Sequence, residues 1–172
     1  MFPSARVLKK IFLISAMFLS CIRVHAAELQ NWPQRTPATL PTNSPIMVVN
    51  VWATWCKPCR SEIAMLSRWY QQQRNSGKKT IAVVGVSLDN DANLQRFTQQ
   101  VSVPYPLYRY TGSDSRAWMQ RLGNNIGGVP FTQVQAPKCG FQRALIGTLS
   151  EIKLNQVIAE ARRQCKQHNV LL

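Results

Sequence analysis

The chain has 172 residues, 45% of them hydrophobic, and its 21 lysines and arginines against 7 acids give a net charge of +14. That length suits one domain with a proper core, and the apolar fraction excludes a disordered chain. The basic excess favours anionic partners, but cations such as Arg60, Arg68, Arg74, Lys78, Lys79, Arg162 and Arg163 are scattered without interleaved aromatics, so they read as solvated helix faces and not as a nucleic-acid surface.

Arg6, Lys9 and Lys10 precede an almost wholly apolar run from Ile11 to Ile22, and Val24-His25-Ala26 follows. This is the pattern of a secretory signal cleaved after Ala26. The run of roughly 12 residues falls short of the ~20 that span a bilayer, so release into the periplasm is expected rather than retention by an uncleaved N-terminus. Phe18-Leu19-Ser20 is a poor lipoprotein motif, which weakens the reading of Cys21 as a lipid anchor. Export also weighs against nucleic acid as a partner. Cleavage would leave Cys56, Cys59, Cys139 and Cys165, an even number that suggests two disulfides in an oxidising compartment. Residues 27–45 carry Pro33, Pro37, Pro41 and Pro45, a spacing that forbids a helix interior and predicts an extended tether or edge segment.

Ile46 to Trp52 is apolar on both faces, as a central strand requires, with Asn50 as its one polar position. Trp55-Cys56-Lys57-Pro58-Cys59 follows, and Cys59, Ile63, Leu66 and Tyr70 then fall on one helical stripe. Cys56 therefore sits where a buried strand hands over to a helix N-terminus. Free N–H groups and the helix dipole favour its thiolate there, and Lys57 adds a positive charge. Pro58 fits the first helical turn without losing a needed hydrogen bond. The spacing exposes the first sulfur and shields the second, so Cys56 is the expected nucleophile and Cys59 the resolving thiol. A merely stabilising disulfide is the bland alternative, but a loop this short closes little chain entropy. A zinc site lacks a second cysteine or histidine pair, and no metal or other cofactor is expected.

Asn75-Ser76-Gly77 stops the helix, and Thr80 to Ser87 reads as a second buried strand, completing a right-handed βαβ unit. Leu94, Phe97, Thr98 and Val101 mark a helix from near Asp91. Val103 to Tyr108, interrupted by Pro104 and Pro106, predicts an edge strand or irregular backbone. A short helix is expected over 113–122, then a hairpin of 131–135 and 141–146, then a helix from Ser150 to about Cys165. A strand of roughly seven residues at ~3.3 Å carries the chain as far from Cys139 as a helix of roughly 15 residues at ~1.5 Å returns it. Cys165 is thus expected beside Cys139 as a structural staple, a second redox pair being the alternative.

Asn-Val-Trp-Ala-Thr-Trp-Cys-Lys-Pro-Cys, Gly-Val-Pro at 128–130 and the β-β-α end together resemble the thioredoxin superfamily, in particular its TlpA/ResA-type extracytoplasmic branch. The resemblance implies an α/β thioredoxin-like domain over 46–165, with βαβ and then ββα around a mixed sheet, a helical insertion between the halves and a tail at 166–172. It implies a cis peptide at Pro130 that exposes the backbone of Val129 to a partner, and a substrate surface of Trp55, Lys57, Pro58 and Val129. Asn50 replaces the buried aspartate of cytosolic thioredoxins, so the resemblance points to an acid after the next strand, Asp89, as base for Cys59; a plain strand-end turn or cap is the competing role. The implied activity is monomeric thiol–disulfide exchange with exported disulfide or dithiol proteins, in the reducing direction, with electrons from a membrane donor. An oxidase that installs disulfides is one alternative. A non-catalytic or copper-chaperone module is another, although the wider cysteine spacing and downstream histidine of copper chaperones are absent. A peroxidase lacks its Thr-x-x-Cys pattern here.

Overall fold

The computed structural model describes residues 27–77 and 80–168. The signal-sequence reading, which falls on 1–26, lies outside them. Seven strands form one sheet: β1 (Leu29–Trp32), β2 (Pro37–Ala38), β3 (Ile46–Trp52), β4 (Ile81–Ser87), β5 (Leu107–Tyr110), β6 (Phe131–Ala136) and β7 (Phe141–Ile146). The helices are α1 (Lys57–Asn75), α2 (Asp91–Gln100), α3 (Ser115–Arg121) and α4 (Glu151–Gln167), with a 3-10 turn over Pro137–Cys139. The strand order is β2-β1-β5-β4-β3-β6-β7. Pairing is parallel for β3–β4 and β4–β5 and antiparallel for β3–β6, β6–β7 and β1–β5, which is the expected mixed sheet.

The proline-rich segment forms the sheet edge, with β1 on β5 and β2 on β1. One expectation changes as a result. The strand after Pro104 and Pro106 starts at Leu107 and is internal, because β1 covers the side that the proline interruptions left in question. The segment between the βαβ and ββα halves carries the two expected helices, α2 and α3, with β5 between them. At the C-terminus α4 runs on to Gln167, two residues beyond Cys165, and takes up the start of the predicted tail.

All seven residues of β3 are buried, and its period-2 alternation divides them between two cores. Val48 and Trp52 pack with Ile63, Leu66 and Trp69 of α1, Phe97 of α2 and Leu154, Val157 and Ile158 of α4. Met47, Val49 and Val51 pack on the other face with Trp118 and Met119 of α3. Asn50 has the parity of the first group, so its amide points into the α1 layer.

Gly85, in the middle of β4, lies against Leu107, Trp52 and Tyr105, where a Cβ would come within 2.7 Å of Leu107 Cδ2 and 3.1 Å of the Trp52 indole nitrogen. Gly85→Ala is therefore expected to lower stability by about 1–3 kcal/mol through overpacking, read from the denaturant midpoint.

Cys139 and Cys165 are bonded and buried, joining the hairpin turn to the end of α4 across a separation of 26 residues. A loop of that size corresponds to about 3 kcal/mol in the chain-entropy account. The Cys139→Ala/Cys165→Ala double variant is expected to lose about that much stability while keeping thiol–disulfide exchange. Loss of exchange in a variant still folded would assign the pair to catalysis instead.

Candidate active site

Strand register gathers the site at one end of the sheet. Trp52, the last residue of β3, pairs with Ser87, the last of β4, and Val51 pairs with Phe131, the first of β6. The loop to Cys56, the turn after Ser87 and the Val129–Pro130 segment therefore emerge side by side. This is where an α/β sheet with parallel centre strands leaves room for chemistry.

Cys56 caps α1 with extended backbone (φ −83°, ψ 100°), and its N–H donates to Ala53 O at 3.1 Å. No side chain caps this helix start and no acid lies in its first turn, so the helix N-terminus meets Cys56 without a first-turn anion, and the neighbouring Lys57 is exposed. Cys56 and Cys59 are joined at 2.03 Å, so the dithiol is in its oxidised state. Cys59 is fully buried and Cys56 is 5% exposed. Beside them Trp55 is 71% exposed, and Pro58 lies open at the first turn of α1.

The Val129–Pro130 peptide is cis. Pro130 is buried and Val129 half-buried. Pro130 O accepts from Gly147 N–H at 3.0 Å. The loop before it is held by Asn124, fully buried, whose Nδ2 donates to Gly128 O at 2.8 Å and whose Oδ1 accepts from Gly127 N–H at 2.9 Å.

The expected base, Asp89, is buried after β4, and three donors hold its carboxylate. Oδ2 accepts from Thr54 N–H at 2.7 Å and from Ser87 Oγ at 2.7 Å, while Oδ1 accepts from Thr54 Oγ1 at 2.6 Å. Asp89 thus ties the end of β4 to the loop entering Cys56. Arg60 completes that clamp from α1, its Nε and Nη2 donating to Thr54 O at 2.9 and 2.8 Å.

A different carboxylate meets Asn50. Glu62 is 2% exposed and one turn beyond Cys59, on the same face of α1. Its Oε1 accepts from Asn50 Nδ2 at 2.7 Å and Thr132 Oγ1 at 2.9 Å, and its Oε2 from Leu149 N–H at 2.9 Å. Burial pushes its pKa above the ordinary 4.5, although these three donors oppose the shift. The buried Tyr105 hydroxyl is pushed up as well, first by burial and then by the charge of Glu62. Glu62 escaped the sequence reading because a glutamate early in a helix passes for a solvated one. Its signal was position: it lies three residues after Cys59, on the edge of the apolar stripe. Among the described residues, no group of three or more His, Cys, Asp or Glu side chains could hold a metal ion.

Comparisons with known proteins agree with this geometry. Residues 26–124 match the model of the AhpC/TSA family. A thiol-disulfide oxidoreductase ResA of Oceanobacillus iheyensis is 29% identical over 105 residues, covering 60% of this chain and 50% of that protein. A bifunctional thioredoxin reductase/thioredoxin of Mycobacterium leprae is 30% identical over 90 residues, 48% of this chain and 19% of that one. The chain thus spans half or less of the length of these curated relatives. Among solved structures, a thioredoxin-related protein from Neisseria meningitidis serogroup B is 41% identical with a TM-score of 0.72, covering 79% of this chain and 99% of that one. StoA from Bacillus subtilis, at 18% identity and a TM-score of 0.56 over 73% of this chain and 91% of its own, shares the fold. The sheet, the disulfide at the start of α1 and these matches lead to one assignment: the chain belongs to the AhpC/TSA family of the thioredoxin superfamily.

Proposed function

We propose that this protein is an exported thiol–disulfide oxidoreductase acting on protein partners, as a monomer and in the reducing direction. The observation that carries the reading is the pairing of a near-surface sulfur at a helix N-terminus with a shielded one, backed by a buried carboxylate. In the reduced protein the Cys56 thiolate attacks one sulfur of a partner disulfide. The partner's S–S bond breaks, its other sulfur leaves as thiolate, and Cys56 is joined to the partner. Glu62, as carboxylate, accepts the proton of the Cys59 thiol. The Cys59 sulfur then attacks Cys56, the Cys56–Cys59 bond closes, and the second partner thiolate is released. Two electrons pass to the partner.

Asn50 cannot take that proton, since an amide is not a base at neutral pH; it orients Glu62 instead. Asp89 acts at one remove, holding the Thr54 loop. Trp55, Lys57, Pro58 and Val129 form the contact surface, with Val129 offering backbone for strand-like pairing. Return to the reduced state needs a dithiol donor, and for a periplasmic location this is a membrane electron carrier. No helix among the described residues is long and apolar enough to cross a membrane itself.

The reduction potential of the Cys56–Cys59 couple decides the direction. A value near the roughly −270 mV of thioredoxin supports the reductase, and one near the roughly −120 mV of DsbA overturns it in favour of a disulfide-installing oxidase. The oxidase is the second reading because Lys57 and the uncapped helix N-terminus stabilise the thiolate, hence the reduced form.

A further inference from the structure

The acids of this chain are few, and most of them are engaged within the fold. All seven acids of the chain lie among the described residues, and six are spent within the fold. Glu62 and Asp89 are buried acceptors. Glu28 pairs with Arg121, Glu160 with Arg143, and Asp91 with both Arg35 and Arg109. Asp114 accepts from Ala117 N–H at 2.9 Å and caps α3. The seventh, Glu151, is exposed in the first turn of α4 and offsets that helix N-terminus. With the acids so engaged, most cations of the described residues make no ion pair, and these include four on the segments around the dithiol. Lys57, Arg60, Arg96 and Arg116 are all exposed and none makes an ion pair among the described residues.

Two of these cations border a groove of about 470 Å3 between α1 and α2. Ala64, Phe97 and Val101 line it together with Arg60 and Arg96, and Thr54 joins it to the loop that enters Cys56. Arg116 lies against Gly127, in the segment leading to the cis-proline. That segment also carries Ile126, 63% exposed. Exposed cations thus border both the Thr54 loop that enters Cys56 and the segment that leads to the cis-proline, and those two segments also carry the exposed Trp55 and Ile126. An apolar centre with a charged rim is the anatomy of a protein-docking face.

We propose that this face takes an extended protein segment whose cysteines are flanked by aspartates or glutamates, with an apolar side chain seated in the groove over Phe97. The inference rests on the exchange activity proposed above and adds the charge of its substrate. Long-range attraction would act chiefly on encounter, since rim charges set association rate more than affinity.

The test uses the mature chain in reduced form and three disulfide probes. Two are peptides of one sequence closed by the same disulfide, flanked either by three aspartates or by three lysines; the third is neutral hydroxyethyl disulfide. The aspartate peptide is expected to react at least about tenfold faster than the lysine peptide at low salt. Near 1 M salt, where the Debye length is about 3 Å, most of that preference should vanish. Arg96→Glu/Arg116→Glu should erase or invert the preference and leave the rate with hydroxyethyl disulfide unchanged. Equal rates for the two peptides overturn the proposal, as does a preference indifferent to salt or to the double charge reversal. Binding to phosphatidylglycerol vesicles that blocks exchange with the aspartate peptide also overturns it, because the face would then serve a membrane surface. Failure to react even with hydroxyethyl disulfide strikes the exchange activity itself, and this inference falls with it.

Discussion

Replacing Cys56 by serine is expected to reduce insulin reduction by a factor on the order of 10³ or more, to the level of the uncatalysed reaction. The effect is this large because the thiolate is the species that attacks, and a serine hydroxyl at the same helix N-terminus stays protonated. Cys59→Ser should behave differently although it loses turnover as well. Cys56 still attacks, but nothing resolves the product, so a one-to-one mixed disulfide with the partner accumulates and can be isolated under non-reducing conditions. Insulin reduction that survives Cys56→Ser would sink the mechanism. The fold should tolerate both changes, since each removes only the three-residue link at the start of α1 and leaves the Cys139–Cys165 bond in place.

The second large effect belongs to Glu62. Glu62→Gln keeps the shape and most of the hydrogen bonds to Asn50, Thr132 and Leu149 but cannot accept a proton. Exchange is expected to slow by about 10² at neutral pH, the low end of what a positioned base contributes. The loss should fall on resolution of the mixed disulfide, visible in single-turnover kinetics, and not on the first attack by Cys56. In the wild type, resolution should quicken as pH rises through the elevated pKa of Glu62; in the variant that rise should be missing. Asp89→Asn offers the contrast. It should loosen the Thr54 loop and lower stability while leaving the rise in place.

The same carboxylate gives a stability signature with a definite sign. Burial raises its folded-state pKa above 4.5, so the folded protein holds this proton more tightly than the unfolded chain does. Its contribution is complete below about pH 4.5 and is lost as pH rises through the folded-state value. Relative to Glu62→Gln, the wild type should therefore melt at progressively lower temperature across that interval. Melting curves of the two proteins that stay parallel across pH would show that Glu62 ionises as easily in the fold as outside it.

Much of this molecule is written locally. The seven-residue apolar strand Ile46–Trp52, the helix opened by Cys56 and the hairpin after Pro130 each follow from short-range periodicity and turn chemistry, and each stands within a residue or two of its predicted position. Even the pairing of Cys139 with Cys165 was legible, because a strand and a helix of matched length return the chain to its start. The spacing of Cys56 and Cys59 likewise placed one cysteine at the helix cap and the other inside the first turn, since that depends on one helix terminus and nothing distant.

What local pattern could not supply is the set of partners that residues far apart in the chain find only once it is folded. Asp89 follows a strand at the right end of the sheet and reads as a base, and only the fold brings Thr54 and Ser87 to its two oxygens. Glu62 reads as a surface residue, yet parity puts Asn50 on the α1 face, antiparallel register brings Thr132 beside it, and the turn before α4 delivers the Leu149 N–H. Strand 107–110 became internal only because residues 29–32 returned to cover it. By itself, then, the sequence determined the dithiol and the elements that carry it, because thiolate stabilisation and strand or helix formation are short-range matters. Only the tertiary structure decided which carboxylates are buried and what they bind, because desolvation and hydrogen bonding are set by contacts up to 87 residues away along the chain.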